Sequence, residues 1–397
     1  MRIAYLTQPY PPMVSGAAIV AEHLAKEMAN RGHQVLVIAA SEKEDAYTQV
    51  EGNLTVLRLR SINNPLRVGQ KILVFPRYRV LKALDNFQPD VLHAHEPVQM
   101  GAIGLEYARA KQIPITITTH QLPWFIASYL PNKFGVRKIV EALLWKYAGW
   151  VMNRFSSVIS PTRTISRIIK NKTGAKARTI SYGINLQVFH PHPCLKEQNT
   201  TREAFNIPKD VPIILYTGRL DTDKSVERVI IATAAVIRES EAYLLIVGDG
   251  NQKQSLMELC MSLGIEARVR FPGFISDKDQ LARIYRTCSL FVTASEIETQ
   301  GIAILEAAAC GLPIVAVKAT CIPEIVHHGV NGYLNNSGDV GVMSRSIERI
   351  LNDPAKAHEM KIKSRALAEK FKAELTFSKH EKLYMQMIHT KRRIGAN

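Results

Sequence analysis

Two glutamates, Glu298 and Glu306, stand with seven residues between them in the stretch FVTASEIETQGIAILEAAACGLPIVAV, residues 291–317. The stretch reads as buried strand, short loop, helix, tight turn and buried strand. Phe291, Val292 and Thr293 close the first strand, and Gly301 to Ala309 carries Ile302, Leu305 and Ala309 on one helical face. Gly311 stops the helix and Pro313 opens the next strand. Backbone N–H groups at Gln300, Gly301 and Ile302, at a helix start, attract phosphate or polarised oxygens. Two carboxylates beside them can hold hydroxyls such as a sugar or ribose offers. The plainer alternative is a strand–helix–strand unit whose acids answer only to the helix dipole. This stretch alone leaves both open.

A second group is cationic. Tyr216-Thr217-Gly218-Arg219 follows an apolar strand, and Lys224 is expected to start the next helix. Two cations there can neutralise a diphosphate and stabilise one that departs; solvated charge on a loop is the alternative. Gly248-Asp249-Gly250 is either a close-approach loop or a plain turn, and Gly16 lies where a backbone could approach a phosphate. His120 ends the run Ile115–Thr119, at the strand end where open α/β sheets bind ligands. A lone histidine is also an ordinary structural residue. His93 and His95 flank the previous strand end, but a third metal ligand is lacking, so no metal is expected.

Positioning these groups requires alternating strands and helices. The chain opens with strand Arg2–Leu6, a Pro-rich loop, a helix with Val20, Leu24 and Met28 on one face, and strand Gln34–Ala39. The alternation continues through strand Leu54–Arg58, helix Arg77–Phe87, strand Asp90–Ala94 and helix Pro97–Ala110. A long helix Phe134–Phe155, strand Ser157–Ser160, helix Thr162–Asn171 and strand Ala177–Ser181 follow. An irregular connection from Tyr182 to Pro193 marks a boundary, and a second alternating series begins. The expected class is α/β: two Rossmann-like, doubly wound domains with a ligand cleft between them. Their expected spans are 1–190, 191–375 and a C-terminal helix, 376–397, packing back on the first.

The 397 residues carry a formal net charge of +16. Such a balance points to a polyanionic partner: nucleic acid, an anionic membrane face or phosphorylated substrates. Residues 131–180 hold eleven lysines and arginines against one acid, Glu141. On the helix Thr162–Asn171, Arg163, Arg167 and Lys170 share one face, opposite Ile165, Ile168 and Ile169. Arg137 and Lys138 extend this basic surface, and Trp124, Phe125, Tyr129, Trp145 and Trp150 supply aromatics suited to a membrane interface. A solvated face over an ordinary core is the alternative. Five cysteines without metal spacing suit a reducing cytoplasm, and Met1 leads straight into a strand, so no signal peptide is expected.

Together these motifs resemble the family 4 retaining glycosyltransferases of the GT-B fold, over nearly the whole length. Glu298-Thr299-Gln300-Gly301 through Glu306 matches the family's E-x7-E motif, continued by Gly311-Leu312-Pro313. Gly218-Arg219-Leu220 with Lys224 matches its diphosphate motif, Gly183-Ile184-Asn185 its linker, and Val247–Gly250 the loop before the base pocket. The resemblance implies that Glu306 holds the donor ribose and Glu298 contacts the transferred sugar. It implies that Arg219 and Lys224 hold the diphosphate, approached by Gly16. His120 would lie at the sugar, and Gly273, Phe274 and Ile275 near the base. Gly218, Gly248, Gln300, Gly301 and Ile302 complete the implied donor site. The reaction would keep anomeric configuration and need no metal. Departures are Ser225 where members often have glycine, Ala17 where a second glycine is usual, and Asn185 where aspartate is usual.

Thr299-Gln300 resembles members that glycosylate diacylglycerol-type lipids. The expected activity is therefore transfer of a hexose from a UDP- or GDP-linked sugar to a membrane lipid, at the inner face of the cell membrane. Transfer to phosphatidylinositol or a polysaccharide, and a sugar-nucleotide epimerase, are the alternatives. A nucleic-acid partner is not expected, because no nucleic-acid motif accompanies the charge.

Overall fold

The computed structural model describes residues 1–13, 15–43, 45–64, 71–128, 135–191 and 194–395. The chain divides into two compact units, Met1–Tyr182 with Glu374–Asn397, and Gly183–Ala373.

The first unit runs β1 (Arg2–Leu6), α1 (Gly16–Asn30), β2 (Gln34–Ala40), β3 (Tyr47–Glu51), β4 (Leu54–Leu59), β5 (Ser61–Asn63), β6 (Lys71–Leu73), α2 (Arg77–Phe87), β7 (Val91–Ala94) and α3 (Gln99–Ala110). It continues with β8 (Ile115–Thr118), α4 (Pro123–Ser128), α5 (Val136–Met152), β9 (Ser157–Ser160), α6 (Arg163–Thr173) and β10 (Ala177–Thr179). The second unit holds α7 (Leu195–Ala204), β11 (Ile213–Thr217), α8 (Val226–Glu239), β12 (Tyr243–Val247), α9 (Lys253–Ser262), β13 (Val269–Gly273) and α10 (Lys278–Thr287). Then come β14 (Leu290–Thr293), α11 (Ile302–Ala309), β15 (Ile314–Val317), β16 (Gly332–Asn335), α12 (Val340–Leu351) and α13 (Pro354–Ala368), before α14 (Ala373–Gly395).

In the first unit the sheet order is β10-β9-β8-β7-β1-β2-β4-β3. All neighbours are parallel except β3 and β4. Side chains alternate across a strand, so β1 feeds two cores. Ala4 and Leu6 pack with Leu92, Met100 and Ile165 on one face. Ile3 and Tyr5 pack on the other with Leu24 and Met28 of α1 and with Leu383 and Tyr384 of α14. Arg31 and His33 both hold Glu381, at 2.8 and 2.9 Å, and fix α14 to the end of α1.

The second unit has six parallel strands in the order β13-β12-β11-β14-β15-β16. Every residue of β11, β14 and β15 is buried. Parallel strands covered on both faces read in sequence as unbroken apolar runs, and these do. Caps delimit the helices. Ser15 Oγ accepts the Ala18 amide at 3.1 Å to start α1, and Asp277 accepts that of Gln280 at 2.9 Å to start α10.

Some elements differ from the sequence expectation. The long helix expected from Phe134 is α5, beginning at Val136 and preceded by the separate α4; Phe134 itself lies outside the described residues. His192 and Pro193, at the end of the irregular connection, also lie outside them. Strand β3 escapes a hydrophobic scan because Tyr47–Glu51 is a polar edge strand whose last four residues are exposed. α7 has no fully buried residue to give it a sequence period.

Candidate active site

In the second unit β11 and β14 are neighbours, Ile214 opposite Leu290 and Leu215 opposite Phe291. Strand order runs outward from this pair in both directions. At such a switch point the following loops leave toward opposite faces and open a crevice at the strands' carboxyl ends. Arg219 follows β11 and Glu298 follows β14, so residues far apart in sequence converge.

Lys224 does not start a helix. It ends a single 3₁₀ turn, Thr222–Lys224, and Ser225 then takes a left-handed conformation (φ 49°) before α8 begins. The turn aims Lys224 Nζ at Glu298 Oε1, 2.6 Å away, with Ser295 Oγ at 3.4 Å. Arg219 is held by Asp221 and, through two bonds of 2.8 and 3.1 Å, by Asp223. The Asp223 carboxylate is only 3% exposed and also lies 3.9 Å from Lys224 Nζ. The two cations are thus paired with acids of the same site.

The loop after β12 closes on this group. A Cβ at Gly248 would come within 1.8 Å of Gly218 O, so the backbones pass at a distance only glycine permits. Gly218 donates to Val247 O at 3.0 Å, and Gly248 to Gly273 O at 2.9 Å. Three successive strand ends are laced together there.

Glu306 sits inside α11, its side chain 7% exposed. Its Oε2 accepts from Tyr285 Oη at 3.0 Å, and its Oε1 from Lys278 Nζ at 3.4 Å. Burial first, and the Glu306 charge second, hold the Tyr285 phenol well above the usual tyrosine range, so it remains a donor. Gly301 caps the helix at φ 77°, and the ladder begins with Leu305 N–H on Gly301 O at 3.1 Å. The amides of Ile302, Ala303 and Ile304 therefore have no intrahelical acceptor. Gln300 is fully buried and Ile302 half-buried. Phe274 is 51% exposed, while Ile275 packs partly against the core.

Gly16 and His120 belong to the first unit. Gly16 is the exposed first residue of α1. His120 Nε2 shares a 2.8 Å hydrogen bond with His95 Nδ1, and Tyr182 stacks on its ring at 5.3 Å. His93 bonds Tyr384 Oη at 2.6 Å and Thr118 Oγ1 at 2.7 Å, and stacks between His95 and His380. Burial pushes His120 and His380 down to about 3 and holds His93 and His95 well below the usual histidine range. These are neutral rings stacked on one another, with one hydrogen bond among them, between His95 and His120. Among the described residues, no group of three or more His, Cys, Asp or Glu is arranged to hold a metal.

Asp221, Asp223, Ser295, Tyr285 and Lys278 were not singled out by sequence. Asp223 carried a signal, an acid between Arg219 and Lys224; Tyr285 carried none beyond helical spacing. His95 enters the sequence reading only as half of an incomplete metal pair with His93, which His380 and Tyr384 of α14 reach.

On the basic side, Lys138, Arg163, Arg167 and Lys170 are exposed and Arg137 half-buried. The aromatic expectation needs correction. Trp145 is a core residue, 5% exposed, whose Nε1 donates to Glu141 at 3.3 Å, and half-buried Trp124 packs edge-on against it. Trp150 is 57% exposed. Tyr129 and the Phe125 side chain lie outside the described residues.

The family model for Glycosyltransferase Family 4 matches residues 14–188, and that for glycosyl transferases group 1 matches residues 197–367. The alpha-monoglucosyldiacylglycerol synthase of Streptococcus pneumoniae is 27% identical over 85% of this chain and 73% of its own. The N-acetyl-alpha-D-glucosaminyl L-malate synthase of Bacillus anthracis is 25% identical over 95% of both chains. The sucrose-phosphate synthase of Thermosynechococcus elongatus superposes with a TM-score of 0.80, at 22% identity, over 98% of this chain and 100% of its own.

Proposed function

The chain belongs to the family 4 glycosyltransferases of the GT-B fold, and on that premise we propose that it moves a hexose from a nucleoside-diphosphate sugar to a diacylglycerol-type membrane lipid, with retention of anomeric configuration. The observation that carries the reading is the convergence of Arg219, Lys224 and Glu298 at the β11–β14 switch point, with buried Glu306 in the helix that follows. Cations fixed at the end of a parallel sheet suit a departing diphosphate, because they are in position before its charge develops. Glu306, presented with Tyr285, suits the ribose hydroxyls. Glu298 suits the moving sugar, exchanging Lys224 for a sugar hydroxyl when the diphosphate arrives. His120 is neutral at physiological pH and offers one ring nitrogen beyond its bond to His95, fit for a sugar hydroxyl. Gly16 offers a side-chain-free approach to phosphate.

The lipid acceptor is supported by the similarity to the diacylglycerol-glucosylating relative and by exposed cations in the first unit. Each Lys or Arg near an anionic leaflet contributes about 1 kcal/mol of attraction. In this reading the enzyme works peripherally at the cytoplasmic face of the membrane. Among the described residues no helix is long and apolar enough to cross it.

The test is a matrix of UDP- and GDP-hexoses against diacylglycerol, phosphatidylinositol, polysaccharide and small hydroxy-acid acceptors, read by product mass. A glycosyl-diacylglycerol product, appearing only when lipid is present, is expected. Turnover of a nucleotide sugar without any acceptor would instead identify an epimerase, and product on a water-soluble acceptor alone would overturn the lipid reading.

A further inference from the structure

Helix α5 wears its apolar residues on the outside. Val136, Ile139, Leu143, Tyr147 and Trp150 are 46%, 61%, 61%, 38% and 57% exposed. With 3.6 residues per turn, their spacing places all five within an arc of about 80°, along a strip about 21 Å long. The opposite side of the helix is the one that packs, through Trp145, Ala148, Val151 and Met152. The helix is therefore apolar on two faces, and among the described residues only one is covered.

Charge borders the uncovered face. Lys146 is exposed at the edge of the strip on the same helix, and the Arg154 guanidinium lies 3.8 Å from the Trp150 ring centre, at the end of the strip. The helix's one acid, Glu141, is turned away and accepts from Trp145. Next to α5, joined by Asn153 Nδ2 donating to Thr173 O at 2.9 Å, lies α6 with Arg163, Arg167, Lys170 and Lys172 exposed.

We propose that the outer face of α5 is the membrane-docking element of this protein, lying in the plane of an anionic lipid surface with Ile139, Leu143 and Trp150 among the acyl chains. The proposal deepens the lipid-acceptor reading and rests on it for its purpose, but not for its physics. An apolar strip flanked by cations is what an interfacial helix presents to anionic lipid. Lysines and arginines border it at the level of the headgroups, and Trp150 and Tyr147 have the amphipathic rings that settle there. A second copy of the chain would bring two cationic faces together, which the same charges oppose.

The test uses the full chain and vesicles of phosphatidylcholine with or without phosphatidylglycerol, in the absence of donor and acceptor. Binding to the mixed vesicles is expected, with a blue shift in tryptophan emission that Trp150→Phe removes. Ile139→Glu with Leu143→Glu should weaken binding about tenfold or more. Both positions are exposed, so the fold should hold, as circular dichroism would verify. Met257→Glu with Met261→Glu, on exposed α9 of the other unit, should leave binding unchanged. Wild-type binding by the α5 double variant, or vesicle-bound protein whose Trp150 emission does not move, overturns the proposal. So does a dimer in light scattering that the α5 substitutions dissociate. Turnover on detergent-dispersed lipid separates the two readings: if vesicles bind through α5 but no lipid is ever glycosylated, the acceptor assignment fails and the docking face stands.

Discussion

Lys224 Nζ lies 2.6 Å from Glu298 Oε1, across the junction of two strands whose loops are remote in sequence. The cation that suits the donor diphosphate is thus paired with the acid that suits the transferred sugar. Binding of the donor must exchange that ion pair for two new contacts. Removing the acid frees the cation while deleting the contact to the sugar. Glu298→Gln is therefore expected to tighten nucleoside-diphosphate binding by calorimetry while kcat falls by about a hundredfold or more. Glu298→Ala and Arg219→Ala should abolish transfer with the fold intact. Near wild-type turnover in either would remove these residues from the reaction.

Asp223 is nearly inaccessible and holds Arg219 through both carboxylate oxygens. Both bonds come from Nη2, while Nη1 is held by Asp221, so the two aspartates together fix the guanidinium plane as well as its position. Asp223→Ala should raise the KM for donor about tenfold or more by releasing Arg219, with a smaller change in kcat. Asp223→Glu should recover part of the loss. An unchanged KM in Asp223→Ala would mean that Arg219 is oriented by Asp221 alone.

Ser225 adopts φ 49° and ψ 44°, in the left-handed region that favours glycine. A side chain in the left-handed region costs roughly 1–2 kcal/mol, part of which glycine returns through the greater entropy of the unfolded chain. Ser225→Gly should therefore raise stability by about 0.5–1 kcal/mol, read as a higher urea midpoint of the second unit. A lower midpoint would show that the Ser225 side chain contributes more than its strain removes.

His380 is 4% exposed and pushed down to about 3 by burial and by His120. In the folded chain it stays neutral, while in the unfolded chain it takes a proton near pH 6.5. Its depressed value means that stability is full above about pH 6.5 and is lost progressively as pH falls toward 3. For this residue the loss between pH 7 and pH 5 is about 2 kcal/mol. His93, His95 and His120 add in the same direction. Urea midpoints should fall on acidification across this window, and His380→Asn should flatten the fall. A midpoint independent of pH from 7 to 5 would contradict neutral burial of the group.

The sequence alone determined whatever depends on local period and punctuation. The parallel strands announce themselves as apolar runs because both faces are covered, as at Ile213–Thr217. The helix after Gly301 and the turn at Gly311 are legible because glycine at those points answers a local backbone demand. The spacing of Glu298 and Glu306 with Arg219 and Lys224 was enough to indicate the family. Only the tertiary structure decided who meets whom. The adjacency of β11 and β14 joins Lys224 to Glu298, and α14 brings His380 and Tyr384 to His93. It also decided which tryptophan is core and which is surface: Trp145 and Trp150 occupy one helix, and the choice between them rests on which side of α5 finds a partner. Strand order and helix docking are set by burial summed over many distant residues. That sum has no signature at any one position of the chain.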